Sequence, residues 1–333
     1  MKKINILGVG NALVDKQFLI DESFLKEISI DKGTMGLCDE NYQENLFEKL
    51  SRKFKNSKNA CGGSATNTVF AASALGSQCG FLGKVAKDKN GYFYSDDLEK
   101  IGILNSVISE GDENTGTCLI MITEDAERTM STCLGISANL NFIDVDENLI
   151  NESEIIYLEG YLVSSDSCFE ASKKIIEAGK KNNSKIAISL SDPNIVKAFK
   201  TRLTEWMLDP IDYLFCNYEE AKTFCSSSDL EVIRKKLLHS AKNIFITLGS
   251  EGAYVISSKT IETINGYPAK AIDTNGAGDM FAGGTLNLMT KGQTLKDAAR
   301  FGCFLASKGV ENIGPRLPQE KYSEIYEKFL KFD

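Results

Sequence analysis

The sequence predicts an α/β protein in which helices flank a central, mostly parallel sheet. Short apolar runs of strand length alternate with stretches of helical periodicity, and this alternation indicates right-handed βαβ units. The 333 residues are 42% hydrophobic and 25% charged, which is an ordinary globular composition. The chain has only five prolines and no low-complexity tract, so we expect no flexible linker between independent domains.

The predicted elements follow one another in a regular order. An apolar strand at 4–10 ends at a glycine, and helices are predicted over 41–55 and from Ser64 to Gly76. The second helix is followed by a strand at 79–85. Further strands are predicted at 154–160, 185–190, 212–217 and 243–249, and further helices at 167–181, 229–238, 277–291, 294–308 and 318–331.

Two stretches interrupt the alternation because they lack helical periodicity, namely 11–40 and 108–137. In the second stretch the runs TCLIMIT and RTMSTCL are separated by EDAE, a pattern typical of a β-hairpin. We therefore expect 11–40 and 108–137 to form a small β-rich element. The main α/β body would then consist of residues 1–10, 41–107 and 138–333.

Charge and residue counts argue against several functions. The formal net charge of −8 argues against a nucleic-acid partner, and the single histidine, His239, argues against a Ser-His-Asp triad or a multi-histidine zinc site. The nine cysteines contain no C-x-x-C pair, which favours reduced, buried thiols. No apolar run approaches the ~18 residues of a membrane span, and the N-terminus lacks a signal-peptide pattern. We expect a soluble, cytoplasmic protein without a membrane partner.

One segment combines glycines and a carboxylate at the start of a predicted helix. Residues 273–281 read DTNGAGDMF, and the small residues Gly276, Ala277 and Gly278 would let an anion approach the free N–H groups there. Asp279 would then face the hydroxyl that receives a bound phosphate, an arrangement suited to phosphoryl transfer. We expect the helix terminus to lower the pKa of Asp279. The alternative is a glycine-rich turn in which Asp279 only stabilises the helix.

The complete Asp-Thr-x-Gly-Ala-Gly-Asp string resembles the signature of the ribokinase-like (PfkB) family of carbohydrate and nucleoside kinases. The resemblance implies a ribokinase-like three-layer sandwich, in which a central mostly parallel sheet is flanked by helices and a small β-lid covers the substrate site. It also implies that Asp279 is the catalytic base and that the amides of Gly276, Ala277 and Gly278 form an anion hole.

A second string resembles the N-terminal Gly-Gly-x-x-x-Asn signature of this family. It is CGGSATN at 61–67, and the resemblance implies that Gly62, Gly63 and Asn67 bind the substrate. Two glycines would let the backbone approach a polyol, and an amide offers both a donor and an acceptor to vicinal hydroxyls. The alternative is a glycine-rich helix start that Asn67 caps locally.

Two further residues resemble substrate contacts of the family. Asp15 in GNALVD matches an aspartate that grips two sugar hydroxyls, and Arg128 on the predicted hairpin matches an arginine that reaches the active site from the lid. The alternative for Asp15 is an ordinary surface carboxylate. A nucleoside base would need an apolar slot, for which the candidates are Phe18, Met35, Leu37 and Leu134.

The nucleotide side is indicated by two short elements. Asn217 and Glu220 resemble the family's Asn-x-x-Glu element, which implies that Glu220 holds Mg²⁺ through water, and the alternative is a helix start rich in acids. Thr247, Gly249 and Gly252 resemble the loop against which ATP lies, and the alternative is a glycine turn between strands.

Two positions resemble the family less completely. Asp273 and the loop at 307–315 match the region where many members bind a monovalent cation, which makes K⁺ a candidate cofactor beside ATP and Mg²⁺. The string SDPN at 191–194 resembles the Asp-x-Asn pattern of sugar kinases, but Val196 stands where an arginine is usual. The role of Asp192 is therefore left open.

The resemblance spans the chain from Gly8 to Pro315 and implies transfer of the ATP γ-phosphoryl group to a primary hydroxyl of a ribose-containing substrate. The N-terminal loop and the lid run RTMSTCLG look like those of adenosine-kinase-type members, so we expect adenosine or a related nucleoside as the acceptor. A free-sugar kinase acting on ribose or fructose is the first alternative, and a non-catalytic ligand-binding homologue is the second.

Two other nucleotide-binding classes fit poorly, and the oligomeric state is open. Leu13 stands where a dinucleotide fold needs its third glycine, and Gln78 stands where a P-loop needs its first. We expect a monomer or a homodimer.

Overall fold

The computed structural model describes residues 2–105, 108–109, 113–125 and 127–331. The predicted segment boundary at residue 107 and Ala126 of the predicted hairpin turn lie outside these residues. Among the helices of this described part, none is both long and apolar enough to cross a membrane. Strands and helices are numbered below in chain order.

A nine-stranded sheet forms the central layer of the molecule. In order across the sheet its strands are β16 (Ile261–Asn265), β15 (Gly252–Ser257), β14 (Ala241–Thr247), β13 (Ile211–Asn217), β12 (Lys185–Ser189), β11 (Ser153–Leu158), β1 (Ile4–Val9), β5 (Cys79–Leu82) and β7 (Leu104–Asn105). The strands from β14 to β7 pair in parallel, whereas β15 and β16 are antiparallel to their neighbours. The prediction of a mostly parallel sheet is confirmed.

Helices cover both faces of this sheet. In chain order they are α1 (Glu22–Glu27), α2 (Glu40–Lys53), α3 (Ser64–Ala74), α4 (Lys89–Lys100), α5 (Glu147–Asn151), α6 (Asp166–Lys181), α7 (Pro193–Trp206), α8 (Tyr218–Cys225), α9 (Leu230–Leu237), α10 (Ala277–Thr290), α11 (Leu295–Gly309) and α12 (Gln319–Phe329). Side chains of α6 to α9 pack in one core cluster, and those of α3, α10 and α11 pack in the others.

Alternation along the central strands explains the two separate cores. Successive side chains of a strand point to opposite faces of the sheet. Ile156 of β11 accordingly packs with α6 to α9, while its neighbour Ile155 packs in the cluster that contains α3 and α10. Because both faces are buried, these strands are continuous apolar runs rather than alternating ones.

A second, smaller sheet lies beside the body and is called the small sheet below. In order across it, the strands are β3 (Met35–Leu37), β10 (Arg128–Gly135), β9 (Thr115–Ile122), β2 (Leu13–Leu19) and β4 (Asn56–Gly62). Strands β9 and β10 are antiparallel, which confirms the predicted hairpin. Two short strands, β6 (Val85–Ala86) and β8 (Ile108–Ser109), pair separately.

Some residues that the sequence-based division assigns to the main body pair with or pack against the small sheet. Strand β4 pairs with β2, and Leu46 and Leu50 of α2 pack with Phe18 of β2 under the sheet. The stretch 11–40 also contains the short helix α1, which its lack of periodicity did not predict. These differences arise because pairing and packing partners lie far apart in the chain. The division into body and lid remains a prediction.

Candidate active site

A cavity of about 340 Å³ lies between the carboxyl ends of the central strands and the small sheet. Residues at or within two positions of the ends of four parallel strands line it: Asn11 after β1, Glu159 after β11, Asn217 in β13 and Thr247 in β14. In open parallel sheets this edge is where ligands bind, because the loops that leave the strands there meet around one crevice. The same cavity is lined by the start of α10.

The start of α10 adopts the backbone geometry that its glycines predict. Gly276 has a φ of +74°, and a Cβ there would lie 2.6 Å from the Cα atom of Pro315, so both conformation and space require glycine. Gly276 and Gly278 line the cavity. The Ala277 N–H donates to the Thr274 carbonyl at 3.2 Å, so in this structure that amide is engaged within the turn.

Asp279 lies in the cavity wall and accepts two hydrogen bonds from α3. The Ser64 hydroxyl donates to Oδ1 at 2.6 Å, and the Asn67 amide donates to Oδ2 at 3.0 Å. Burial raises the pKa of Asp279 to about 6, although these bonds and the Arg316 guanidinium act in the opposite direction. The expected lowering of this pKa is therefore wrong, because desolvation outweighs the stabilising contacts.

Asp15 and the two glycines of the CGGSATN string lie close together, and Asp15 and Gly63 line the cavity. A Cβ on Gly62 would lie 2.2 Å from Oδ1 of Asp15, so only glycine leaves room for this carboxylate. Gly63 has a φ of +94° and begins α3, and a Cβ there would lie 2.3 Å from the Asn11 carbonyl oxygen. Asp15 is buried, which raises its pKa to about 7.

Asn67 lines the cavity and connects two charged side chains. Its Nδ2 donates to Asp279, and its Oδ1 accepts from Nε of Arg316 at 2.8 Å. The residue that begins α3 is Gly63, so Asn67 is not the local cap of that helix. One amide hydrogen of Asn67 remains for a substrate, while its oxygen is already engaged.

Arg128 and Asp273 form a buried ion pair, and neither is among the residues that line the cavity. Asp273 also accepts the N–H groups of Asn275 at 3.0 Å and Gly314 at 2.6 Å. Within the described residues, Nε and Nη1 of Arg128 are buried without a hydrogen-bond partner. The structure therefore brings these two predicted site residues together, beside the start of α10.

Asn217 and Glu220 form a capping box at the start of α8. The Glu220 carboxylate accepts the Asn217 backbone N–H at 2.9 Å and the Asn217 side-chain amide at 2.6 Å. Both residues line the cavity, and burial raises the pKa of Glu220 to about 7. The alternative interpretation, a helix start rich in acids, is therefore correct as far as the capping box goes. The capping carboxylate of Glu220 nevertheless still lines the cavity.

The loop after β14 has a clear conformational reason for its glycines. Thr247 lines the cavity, whereas Gly249 and Gly252 form the turn into β15 and do not line it. Gly252 has a φ of +111°, and a Cβ there would lie 2.0 Å from the Ile264 carbonyl oxygen. These glycines are required by the turn itself.

The predicted apolar slot is partly correct. Met35, Leu37 and Leu134 line the cavity on the side of the small sheet. Phe18 does not, and this candidate is wrong: it is fully buried between the small sheet and α2, because it points to the opposite face of β2 from Asp15.

Several polar residues that line the cavity were not predicted, among them Glu159 and Ser64, and Glu159 had a sequence signal. The Glu159 carboxylate accepts the N–H groups of Asn11 and Ala65, both at 2.8 Å, and burial raises its pKa to about 7. It directly follows β11, where an acid at the carboxyl end of an apolar strand could have been noticed. Ser64 lay within a recognised string, but its bond to Asp279 had no signal.

Other sequence-based interpretations are now resolved by their contacts. Asp192 caps α7, accepting the Asn194 N–H at 2.6 Å, which gives it a structural role. All nine cysteines are free thiols, as expected, and seven of them are buried. Among the described residues no group of three or more histidine, cysteine or acidic side chains is placed to hold a metal ion.

The fold and the site together define an ATP-dependent kinase that phosphorylates a hydroxyl group. A helix N-terminus with small residues beside a carboxylate, at the carboxyl edge of a parallel sheet, can hold a phosphoryl group and deprotonate its acceptor. Residues 35–321 match the model of the pfkB family carbohydrate kinases. The chain therefore belongs to the PfkB family, whose kinase chemistry implies ATP and typically Mg²⁺.

Similar proteins of known name agree with this assignment. The adenosine kinase of Saccharomyces cerevisiae is 30% identical over 339 residues, which cover 96% of this chain and 98% of that protein. The structure of adenosine kinase from Sinorhizobium meliloti has a TM-score of 0.91 and 29% identity, covering 98% of this chain and 99% of that one. A probable sugar kinase from Rhizobium etli has a TM-score of 0.92 at the same identity and coverage. The predicted ribokinase-like sandwich is confirmed.

Proposed function

We propose that this chain transfers the γ-phosphoryl group of ATP to a primary hydroxyl of adenosine or a closely related nucleoside. The supporting observation is that one cavity combines Asp279 and Asp15 with an apolar wall formed by Met35, Leu37 and Leu134. The carboxylates suit the reacting and vicinal hydroxyls of a ribose, and the apolar wall suits a planar base. A free sugar would leave that wall facing water. The adenosine kinases among the similar proteins support the same acceptor.

Asp279 is the proposed catalytic base. The acceptor oxygen forms a bond to the γ-phosphorus, the bond from that phosphorus to the bridging oxygen of ADP breaks, and the hydroxyl proton passes to the carboxylate of Asp279. With a pKa of about 6, Asp279 is ionised at neutral pH yet basic enough to accept this proton. The bonds from Ser64 and Asn67 would hold the carboxylate in place during the transfer.

The anion hole is assigned to the amides of Gly276, Ala277 and Gly278. The absence of a Cβ at Gly276 and Gly278 leaves this helix terminus accessible from the cavity. Donors that already point at the developing charge stabilise it without reorganisation. The Ala277 N–H would exchange its bond to the Thr274 carbonyl for a phosphate oxygen.

On the acceptor side, we assign the ribose hydroxyls to Asp15, with Gly62 and Gly63 providing the room that its carboxylate needs. Asn67 would donate its remaining amide hydrogen to the substrate. Arg128, which has two unpartnered nitrogens but does not line the cavity in this structure, would leave its ion pair with Asp273 to reach the transferring phosphoryl group from the small sheet.

On the nucleotide side, Asn217, Glu220 and Thr247 border the cavity, and Gly249 and Gly252 shape the loop beside it. Each oxygen of Glu220 accepts one bond and retains a further lone pair, which fits a water ligand of Mg²⁺ rather than direct ligation. Bound Mg²⁺ would neutralise charge on the ATP phosphates. Asp273, whose buried carboxylate accepts the N–H of Gly314 in the loop at 307–315, is our candidate for a monovalent cation such as K⁺.

The small sheet, formed mainly by residues 11–40 and 108–137, is assigned the role of a lid over the acceptor. Its closure would exclude water that could otherwise accept the phosphoryl group. The nine unpaired thiols support a reducing, cytoplasmic location. A monomer and a homodimer are both compatible with this arrangement.

A direct acceptor screen tests the proposal. Production of ADP is measured with MgATP and, separately, adenosine, inosine, ribose, fructose and fructose 6-phosphate, and the product is identified by mass spectrometry. We expect adenosine to give the highest kcat/KM and adenosine 5′-monophosphate as its product. A preference for ribose or fructose would establish the free-sugar alternative, which the probable sugar kinase from Rhizobium etli keeps open. Binding without turnover of any acceptor would indicate a non-catalytic homologue.

A further inference from the structure

Arg316 lies in the loop between α11 and α12 and joins two parts of the molecule. Its Nε donates to Oδ1 of Asn67 at 2.8 Å, and its Nη1 donates to Asp97 of α4, also at 2.8 Å. The guanidinium stacks over the ring of Phe70 with 4.6 Å to the ring centroid. Only 11% of the side chain is exposed, so its position is set by protein contacts rather than by solvent.

The polarity of Arg316 determines which way the Asn67 amide points. A guanidinium has only donors, so the atom of Asn67 that faces it must be the carbonyl oxygen. The amide nitrogen of Asn67 is therefore turned to the other side, where it donates to Oδ2 of Asp279 at 3.0 Å. Without Arg316 the amide could rotate and present its oxygen to the carboxylate, which would repel it.

We propose that Arg316 is a positioning residue for phosphoryl transfer, which acts by holding the Asn67 amide in the orientation that fixes the carboxylate of Asp279. The proposal rests on the proposed function, because it assumes that Asp279 accepts the acceptor's proton. Arg316 does not line the cavity, so it contacts neither substrate in this arrangement. It therefore acts through Asn67: mainly on kcat, by fixing the carboxylate of Asp279, and on KM only through the single amide hydrogen that Asn67 is assigned to donate to the substrate.

The charge of Arg316 has a second, separable consequence. The guanidinium of Arg316 lowers the pKa of Asp279, and the charge of Asp279 in turn raises the pKa of three nearby acids, Asp15 on β2, Glu159 after β11 and Glu220 on α8. Removal of Arg316 leaves the desolvation of Asp279 less opposed and is therefore expected to raise its pKa. In a plot of kcat against pH, the position of the acid limb therefore depends on the charge of Arg316. The value of kcat on the high-pH plateau depends on the orientation of the Asn67 amide.

The test is a double-mutant cycle on kcat, measured on the high-pH plateau with saturating MgATP and adenosine. Arg316→Met keeps the length of the side chain and its packing on Phe70 but removes every donor. We expect it to lower kcat by about tenfold or more, with KM for adenosine changed by less than about threefold. In an Asn67→Ala background the same substitution should lower kcat by less than about twofold, because the residue through which it acts is gone.

A conservative variant and a distant control complete the design. Arg316→Lys should recover part of the plateau kcat and leave the acid limb near its wild-type position, since the charge and one donor remain. Arg52→Ala, on the exposed face of α2, should match the wild type in every measurement. If Asn67→Ala is too slow to measure, the plateau kcat of the Met variant relative to the Lys variant, together with their acid limbs, decides the outcome.

Two results would overturn the inference. One is an unchanged plateau kcat in Arg316→Met, and the other is an equal loss of kcat in both backgrounds. Wild-type turnover is measured first, because it tests the proposed function independently of the role of Arg316. Failure of the wild type to phosphorylate any acceptor refutes the proposed function, whereas an active wild type with an equally active Arg316→Met variant refutes only the role of Arg316.

Discussion

The hydroxyl of Ser64 donates a hydrogen bond of 2.6 Å to the carboxylate of Asp279, although 215 positions separate the two residues in the chain. The bond joins the first turn of α3 to the first turn of α10. Two helix N-termini, each with the positive end of its dipole, thus converge on one carboxylate. Burial nevertheless raises the pKa of this carboxylate, which makes it a stronger base than an exposed aspartate.

Asp279→Asn should abolish turnover while ATP still binds. The amide cannot accept the acceptor's proton at neutral pH, so kcat should fall by about a hundredfold to ten-thousandfold. The Kd for ATP, measured by calorimetry, should change little because the start of α10 keeps its backbone donors. A variant that retains more than a few per cent of the wild-type kcat would remove Asp279 from the role of base.

The pH dependence of kcat, measured with saturating adenosine and MgATP, should show an acid limb with a midpoint near pH 6, whereas kcat/KM should begin to fall at higher pH because Asp15 and Glu220 have pKa values of about 7 in the free enzyme. Asp279 must be ionised to act as base and its pKa is about 6, so activity is present above this pH and is lost as the pH falls through it. Ser64→Ala should move the limb to higher pH, because the lost hydrogen bond favours the ionised form. Ser323→Ala on α12 serves as the control and should leave the limb in place. An identical limb in both variants would contradict the assignment.

Gly62→Ala should weaken nucleoside binding. The new Cβ would lie 2.2 Å from Oδ1 of Asp15 and must displace that carboxylate from its position at the cavity. We expect KM for adenosine to rise by about tenfold, which corresponds to about 1.4 kcal/mol. Gly36→Ala is the matched control, since its Cβ would meet no atom within 4 Å. Steady-state kinetics with both variants would show an equal KM if Asp15 does not bind the acceptor.

Glu159 should make the free energy of unfolding decrease as pH rises. Its pKa is raised from 4.5 to about 7 in the folded protein, so the folded state binds a proton more tightly than the unfolded state. The contribution is therefore complete below pH 4.5 and is lost as the pH rises through about 7, and it amounts to at most about 3 kcal/mol.

Urea unfolding of the wild type and of Glu159→Gln between pH 4 and pH 8 measures the contribution of Glu159 to the free energy of unfolding. The variant is expected to be less stable at acidic pH and to show a shallower decline with rising pH, since glutamine does not titrate. Glu320→Gln, an exposed change in the first turn of α12, should reproduce the wild-type slope. A wild-type slope in Glu159→Gln would show that another group carries the dependence.

Local patterns predicted most of the secondary structure of the body. The predicted strand at 4–10 is β1 over Ile4–Val9, and the predicted helix at 277–291 is α10 over Ala277–Thr290. Such patterns suffice because a buried parallel strand is a continuous apolar run, and because a glycine-rich start is needed to admit an anion at a helix terminus. Gly62, Gly63 and Gly276 were predicted as site residues because small residues allow a ligand to approach the backbone closely.

Contacts between distant parts of the chain were not predictable in this way. Strand β4 and helix α2 join the small sheet through partners that no local pattern specifies. The sequence-based interpretation puts Phe18 at the cavity. In the structure the side chain lies on the other face of β2 and packs in the core beneath the small sheet. Glu159 and Arg316 acquire their roles only from groups that lie far away in sequence.

The amino-acid sequence by itself determined the α/β class, the order of its elements and the loops that bear the chemistry, since these depend on neighbours along the chain. Only the tertiary structure decided which polar groups contact one another, which glycine leaves room for the carboxylate of Asp15, and whether the pKa of Asp279 rises or falls. The physical reason is that desolvation and hydrogen bonding act over a few ångströms in space, and the groups that exert them on Asp279 come from α3 and from the loop before α12.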